Sequence, residues 1–185
     1  DRVPMPKHEI RALVLAKLRL EPWHTLWDVG AGTGSVSAEG ALAVPEGRVF
    51  AVERRAQALA LLEQNRAALG LTNLHIVPGA APEALEGLPA PDRVFLGGSS
   101  GNMEAILRRA LDRNPAVRIV ATAVTLETLA EAARCFALLG LTDTDMVQIA
   151  AARVKRAGGY HLMDAQNPVW ILTGETARHP TGGGL

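Results

Sequence analysis

Three glycines and one distant carboxylate carry the clearest chemical signal in this sequence. Gly30, Gly32 and Gly34 follow an apolar run at 26–29 and lead directly into a helical pattern. Glycine tolerates positive φ and lets the backbone approach a ligand closely, and a following helix presents free N–H groups. Glu53 ends the next apolar run, 19 positions after Gly34, where a βαβ unit places an acid near ribose hydroxyls. The set predicts a site for an adenosine-containing ligand.

The spacing of this glycine turn narrows the ligand further. Gly-x-Gly-x-Gly differs from the Gly-x-Gly-x-x-Gly of dinucleotide sites, which disfavours a nicotinamide-dependent reductase. Asp28, near the end of the apolar run, could orient the turn or hydrogen-bond an amino group of the ligand, directly or through water. A tight turn without any ligand is the alternative. The coincidence of strand, turn, helix and distal acid disfavours it.

An α/β framework is needed to position these residues, and the hydrophobic pattern of the chain predicts one. Apolar runs alternate with helical patterns, which is typical of a mainly parallel sheet covered by helices. Helices are predicted at 7–20, 34–43, 56–69, 103–112 and from 125 or 128 to 140, and strands at 25–29, 47–53, 73–78, 92–96, 117–124, 143–154 and 168–173. The last two strands form a hairpin-like pair around a loop rich in Gly, Tyr and His. The expected fold is a single doubly wound, mainly parallel, seven-stranded Rossmann-like sheet.

The composition limits the possible functions. The 185 residues fit one domain, which we assign to 1–175, with a disordered tail at 176–185. Lys+Arg and Asp+Glu both number 19, so no basic field favours nucleic acid. The single cysteine and five scattered histidines predict no disulfide and no metal site. No apolar stretch of membrane-spanning length and no signal-peptide pattern occurs, which predicts a cytoplasmic protein without a membrane partner.

The glycine turn and Glu53 resemble those of the class I S-adenosylmethionine-dependent methyltransferases. In that superfamily the turn runs beside the methionine end of the cofactor, and the acid binds the ribose. Segment 78–85 falls where the superfamily covers the adenine, but Ala80 stands where an Asp usually reaches the exocyclic amine. Adenine contact would then rest on backbone groups and apolar packing. The resemblance implies S-adenosylmethionine as cofactor, bound by Asp28, Gly30, Ala31, Gly32, Thr33, Gly34, Glu53, Gly79, Ala81 and Gly97.

A narrower resemblance covers roughly residues 4–174. The segments 4–11, 92–99 with its Gly-Gly-Ser, 121–129 with its Val-Thr-Leu-Glu, and 158–169 are together similar to the decarboxylating precorrin methyltransferases of cobalamin biosynthesis. That family methylates carbon 15 of a precorrin-6B-type macrocycle and removes the carboxyl group of the carbon-12 acetate. Pro6 stands where a Thr usually precedes the Lys, but its ring or carbonyl could still contact the cofactor. The resemblance also implies a homotetramer and a fused or associated carbon-5 methyltransferase domain, with which the absence of an initiator Met is consistent.

Such a substrate carries many carboxylates, and two parts of the chain could anchor them. Backbone N–H groups of the loop at 97–101 precede a helix, and Arg and Lys are the usual carboxylate partners. The predicted substrate-binding residues are Gly98, Ser99, Ser100, Gly101, Arg153, Lys155 and Arg156. A solvated surface cluster is an equal alternative for the three cations, and helix capping is favoured for Asn102. Tyr160 and His161 are candidates for proton transfer, but an ordinary structural role in a loop is the favoured interpretation.

Several functions stay open at this point. A class I methyltransferase could act on a protein carboxylate or a tRNA base instead, although the neutral charge weighs against tRNA. The domain could also bind S-adenosylmethionine without catalysis and serve as an assembly module. The leading interpretation is a decarboxylating methyltransferase that acts on a corrin precursor through a shaped pocket, not through a catalytic triad.

Overall fold

The computed structural model describes residues 8–176. Five helices and nine strands follow one another along this part of the chain, with a short 3-10 turn at Glu83–Leu85. The helices are α1 His8–Leu18, α2 Ser35–Ala43, α3 Ala56–Ala68, α4 Met103–Arg113 and α5 Leu126–Leu138. The strands are β1 Thr25–Val29, β2 Arg48–Glu53, β3 Leu74–Pro78, β4 Arg93–Leu96, β5 Arg118–Ala123, β6 Asp145–Ile149, β7 Ala152–Ala157, β8 Tyr160–Ala165 and β9 Val169–Gly174.

Seven of the strands form one sheet in the order β3-β2-β1-β4-β5-β9-β6. The first five are parallel, with Leu26 of β1 opposite Val49 of β2 on one side and Arg93 of β4 on the other. Strand β9 runs antiparallel between β5 and β6. The strand order reverses between β1 and β4, and open α/β sheets bind ligands at such a switch point. The predicted doubly wound, mainly parallel seven-stranded sheet is confirmed.

Side chains alternate along each central strand and divide the core into two layers. In β1, Trp27 and Val29 join the layer that packs against α4 and α5, whereas Leu26 joins the layer beneath α1 and α2. Because both faces of β1 are covered, the strand reads as a continuous apolar run, as buried parallel strands do. Burial of these layers fixes the register of β1, on which the glycine turn depends.

The chain after β6 departs from the prediction. Residues 143–154 do not form one strand, because β6 ends at Ile149 and β7 begins at Ala152. The predicted Gly-, Tyr- and His-containing loop is instead a second, two-stranded sheet, the hairpin β7–β8, which pairs Val154 with Met163. Every residue of both strands is exposed, so the sequence lacks the alternation of apolar and polar residues that would predict a half-buried strand.

The helix ends settle two further predictions. Helix α5 is capped by Thr125, whose hydroxyl accepts a hydrogen bond from the Thr128 N–H at 3.2 Å. Asn102 occupies the cap position of α4, but its side chain makes no capping bond, so that expectation is wrong. Of the predicted tail, only Thr176 is described, and its hydroxyl donates to the Pro115 carbonyl at 2.5 Å. No helix in the range 8–176 is long and apolar enough to cross a bilayer.

Candidate active site

A cavity of about 870 Å³ opens at the carboxyl ends of the parallel strands. The segments that follow β1, β2, β3 and β4 supply most of its wall, and residues near the end of β8 close one side. Ligand sites in proteins occupy roughly 300–1,000 Å³, so the cavity has room for one nucleoside-sized group and part of a second molecule. We take this cavity as the candidate active site.

The glycine turn forms the floor of the cavity. Gly30, Gly32 and Gly34 have φ of 74°, 58° and 77°, a left-handed conformation that disfavours other residues. A Cβ on Gly30 would lie 2.7 Å from the Gly98 carbonyl oxygen, and one on Gly34 would lie 2.2 Å from a Leu62 methyl. The turn therefore packs between the β4 loop and α3, and the positive φ at both positions favours glycine.

Glu53 fastens this turn from the end of β2. Its Oε2 accepts the Gly32 N–H at 2.9 Å, while Oε1 accepts the backbone N–H groups of Arg54 and Arg55 and the Arg55 Nε. Burial acts to raise the pKa of Glu53, but the hydrogen bonds from Arg55 and Gly32 outweigh it and hold the pKa below its usual range. The carboxylate is ionised, and Oε2, with a single partner, keeps acceptor capacity toward the cavity.

Asp28 lies beneath the turn, not on the cavity wall. It is fully buried, and its Oδ2 accepts a hydrogen bond from the Ser37 hydroxyl of α2, while Oδ1 has no hydrogen-bond partner within residues 8–176. Burial raises its pKa to about 7, assisted by the Glu53 charge and opposed by the Ser37 hydrogen bonds. Its contact with Ser37 ties β1 to α2, so it can orient the turn that joins them.

The β4 loop forms the wall opposite the turn. The Gly97 N–H donates to the Val29 carbonyl at 3.0 Å, which ties this loop to the end of β1. Ser100 has a φ of 51°, unusual for a residue with a side chain, and Gly101 follows at 85°. The Asn102 amide donates to the Ala81 carbonyl at 3.4 Å and links the loop to the segment after β3. The loop thus spans the gap between two walls of the cavity.

Most of the predicted cofactor and substrate residues come together around this cavity. Those on its wall are Gly30, Ala31, Gly32, Glu53, Gly79, Ala81, Gly97, Gly98, Ser99 and Ser100. Thr33 and Gly34, at the end of the turn, are not on the cavity wall, and the Thr33 carbonyl accepts a hydrogen bond from the Asn65 amide at 2.9 Å. Gly101 lines a smaller neighbouring cavity. Pro6 lies outside the described residues.

The predicted cations and proton-transfer candidates are not on the wall of either cavity. Arg153 and Lys155 share one face of the exposed strand β7, and Arg156 projects from the other because side chains alternate along a strand. Arg153 forms a salt bridge with Glu9 of α1 at 2.8 Å. Tyr160 and His161 lie beside the tip of the hairpin, both exposed. In this chain, then, these residues lie apart from the predicted substrate loop.

Sequence reasoning missed several residues of the cavity wall. They come from parts of the chain without a motif of their own, and they are Ile10, Val36, Arg54, Arg55, Phe95, Thr122, Gln166 and Asn167. Arg54 and Arg55 could have been found, because they directly follow Glu53 at a strand end. Gln166 and Asn167 depend on the path of the chain from β8 to β9, which no local pattern predicts.

The sheet order and the site together define the class I methyltransferase fold. A glycine turn follows β1 and an acid ends β2. At one edge of the sheet, the antiparallel strand β9 lies between β5 and the edge strand β6. Within residues 8–176 no group of three or more potential ligands is placed to hold a metal ion.

Comparison with known proteins identifies the family within this class. A match to the precorrin methyltransferase domain covers residues 2–174, so the chain belongs to that family. A protein of Pyrobaculum calidifontis named "Probable cobalt-precorrin-6B C(15)-methyltransferase (decarboxylating)" is 46% identical, over 94% of this chain and 89% of its own. A Salmonella typhimurium protein with the same activity in its name is 40% identical, over 93% and 89%. The crystal structure of precorrin-6y C5,15-methyltransferase from Geobacter metallireducens superposes with a TM-score of 0.87 at 38% identity, covering 93% of this chain and 90% of that one.

Proposed function

We propose that this protein transfers the methyl group of S-adenosylmethionine to carbon 15 of a precorrin-6B-type tetrapyrrole and removes the carboxyl group of the carbon-12 acetate. The observation that carries the proposal is the glycine turn and Glu53 facing the 97–101 loop across one cavity, in a member of the precorrin methyltransferase family. The named activities of the relatives agree with both parts of the reaction.

The residues present fit S-adenosylmethionine. Glu53 Oε2 has the capacity to accept a ribose hydroxyl, and the absent Cβ of Gly30 leaves backbone exposed beside the position for the methionine end. Gly79 and Ala81 line the cavity where the adenine is expected, and Phe95 and Ile10 add apolar surface to the cavity wall. When bound, the cofactor supplies an electrophilic methyl group carried on a sulfonium.

The chain's own part in methylation is positioning and exclusion of water. An in-line methyl transfer needs the nucleophilic carbon held close to the methyl group, and correct orientation can supply roughly 7–11 kcal/mol of rate enhancement. The macrocycle carbon is itself an enamine-like nucleophile, so no strong protein base is required. Since the Gly97 N–H is bound to Val29, the later N–H groups of the loop, from Gly98 to Gly101, serve as anchors for a substrate carboxylate.

The proposed assembly is a homotetramer, with a carbon-5 methyltransferase as a fused or associated partner. Among the described residues, the hairpin β7–β8 supplies a surface suited to contact between subunits. Val154 and Met163 lie opposite each other on one face, 67% and 73% exposed. An isolated two-stranded hairpin is marginally stable in water, so burial against a second copy would stabilise it. The double activity in the name of the Geobacter relative supports the link with carbon-5 methylation.

Calorimetry with S-adenosylhomocysteine and with NAD tests the cofactor class. We expect binding of S-adenosylhomocysteine and no heat with NAD, because the turn lacks the dinucleotide spacing. Binding of NAD alone would overturn the proposal.

A further inference from the structure

A second cavity, of about 270 Å³, adjoins the first across the β4 loop. The two cavities share wall residues from that loop and from the end of β5, namely Gly97, Gly98, Ser99, Ser100, Thr122 and Val124. A molecule that reaches the cofactor from the loop side therefore has a recess beside it for a substituent. The recess is of the size of a side-chain group, not of a whole macrocycle.

Helix α5 supplies the chemistry of this recess. Thr128 and Glu131 lie three positions apart, on the same side of the helix, and both line the second cavity. The remaining wall consists of glycines, hydroxyl side chains and apolar groups. Glu131 is consequently the one ionisable side chain on the wall of this cavity, as far as residues 8–176 are concerned.

The Glu131 carboxylate is also available to bind a substrate group. It forms no hydrogen bond or salt bridge with any residue in the described range, although its charge acts on the nearby Arg134 and Cys135. The other carboxylates near the site differ in this respect. Glu53 is held by Gly32, Arg54 and Arg55, and Glu104 is paired with Arg108 and Arg134. A half-exposed carboxyl group with no hydrogen-bond partner in the described range can contact both a group in the cavity and the solvent.

We propose that Glu131 is the proton donor for the decarboxylation step, with the substrate acetate seated in the second cavity. The inference rests on the proposed function. Two carboxyl groups side by side repel when both are ionised, so a proton is retained on one of them. Only the ionised acetate can lose carbon dioxide, so in the reacting state the proton shared by the pair must be on Glu131.

The bond between the acetate methylene and its carboxyl carbon breaks, carbon dioxide leaves, and the electron pair enters the conjugated macrocycle. The pair then returns to the former methylene, where a new C–H bond forms with the proton of the Glu131 carboxyl group. The Glu131 carboxylate regains a proton from solvent, so the net reaction consumes one proton and needs no oxidant or reductant.

The test compares Glu131→Gln with the matched variant Glu127→Gln, which lies one turn earlier on α5, is exposed and lines neither cavity. Each protein is incubated with S-adenosylmethionine and a precorrin-6B-type substrate, and methyl uptake and carbon dioxide release are followed separately. Thermal unfolding and S-adenosylhomocysteine affinity establish that both variants fold and bind cofactor.

For Glu131→Gln we expect carbon dioxide release to slow by about 100-fold, a typical effect of losing a general acid, with methyl uptake retained. A methylated product that keeps its carboxyl group would then accumulate, whereas Glu127→Gln would behave as wild type. Carbon dioxide release at the wild-type rate, or an equal slowing of both processes, overturns the role of Glu131. Failure of the wild-type protein to do either reaction overturns the proposed function instead.

Discussion

Glu53 has a structural role in the fold, and we propose that the same carboxylate binds the cofactor. Its Oε2 accepts the Gly32 N–H of the glycine turn, and its Oε1 accepts the N–H groups of Arg54 and Arg55 at its own strand end. Since Oε2 has only one partner, it is the atom proposed to accept a ribose hydroxyl. The sequence predicted the acid from its position at a strand end. The hydrogen bonds that fasten it to the turn required the fold.

Replacing Glu53 with alanine should weaken cofactor binding. Loss of the ribose hydrogen bonds is expected to cost ~1–3 kcal/mol, which corresponds to roughly 5–150-fold in Kd for S-adenosylhomocysteine by calorimetry. Glu63→Ala, on the exposed side of α3, is the control and should leave Kd unchanged. Unchanged affinity in Glu53→Ala would remove Glu53 from the ribose site.

The buried carboxyl of Asp28 predicts a pH-dependent stability. Its pKa of about 7 in the folded protein lies above the ordinary 3.8, so the folded state holds a proton that the unfolded state releases. Its contribution therefore destabilises the fold increasingly as pH rises between these two values and is constant above them. Asp28→Asn removes this effect and can keep the Ser37 hydrogen bond.

Urea unfolding of wild type and Asp28→Asn across that pH range measures the effect. The difference in the free energy of unfolding, Asp28→Asn minus wild type, should increase as pH rises, by up to about 4 kcal/mol. Asp143→Asn, at an exposed position, should show no such trend. A difference between Asp28→Asn and wild type that does not vary with pH would contradict the raised pKa.

At the scale of elements, the β4 loop and helix α3 both approach the glycine turn closely, through Gly98 and Leu62. Gly30→Ala combines an unfavourable φ with a Cβ too near the Gly98 backbone, so the β4 loop must move. Gly87 is a matched control, because its φ of 76° is close to the 74° of Gly30 and nothing lies within 4 Å of its Cβ position.

We expect Gly87→Ala to lose about 1–2 kcal/mol of stability from backbone strain alone. Gly30→Ala should lose more and should also weaken S-adenosylhomocysteine binding at least about tenfold, or 1.4 kcal/mol. Chemical denaturation and calorimetry give the two quantities. Equal losses in both variants, with cofactor affinity intact, would show that the contact between the turn and the β4 loop is unimportant.

The elements that the sequence predicted well are those buried on a face. The strand predicted at 25–29 matches β1 residue for residue, because apolar side chains on both faces make it continuous. The hairpin β7–β8 was missed because neither of its faces is buried in the chain, so its sequence lacks the apolar alternation of a half-buried strand. Likewise Gln166 and Asn167 reach the cavity through tertiary packing, which leaves no local pattern.

At the scale of the whole molecule, the exposed hairpin makes the oligomeric state testable. Light scattering should give about four times the mass of the 19.6 kDa chain. Val154→Asp combined with Met163→Asp should lower that mass, because burying two unpaired charges in an interface is strongly unfavourable. Leu69→Asp is the control, because Leu69 is also an exposed apolar residue but lies at the end of α3, outside the hairpin. This substitution should leave the assembly intact. A monomeric wild-type protein would contradict the proposed homotetramer.

The most direct test of the account is the mass of the product formed from a precorrin-6B-type substrate and methyl-labelled S-adenosylmethionine. The precorrin methyltransferase family, the cavity at the switch point and the adjoining recess predict a product that gains one labelled methyl group and loses one carbon dioxide. A substrate recovered at its original mass, from protein that binds S-adenosylhomocysteine, would contradict it.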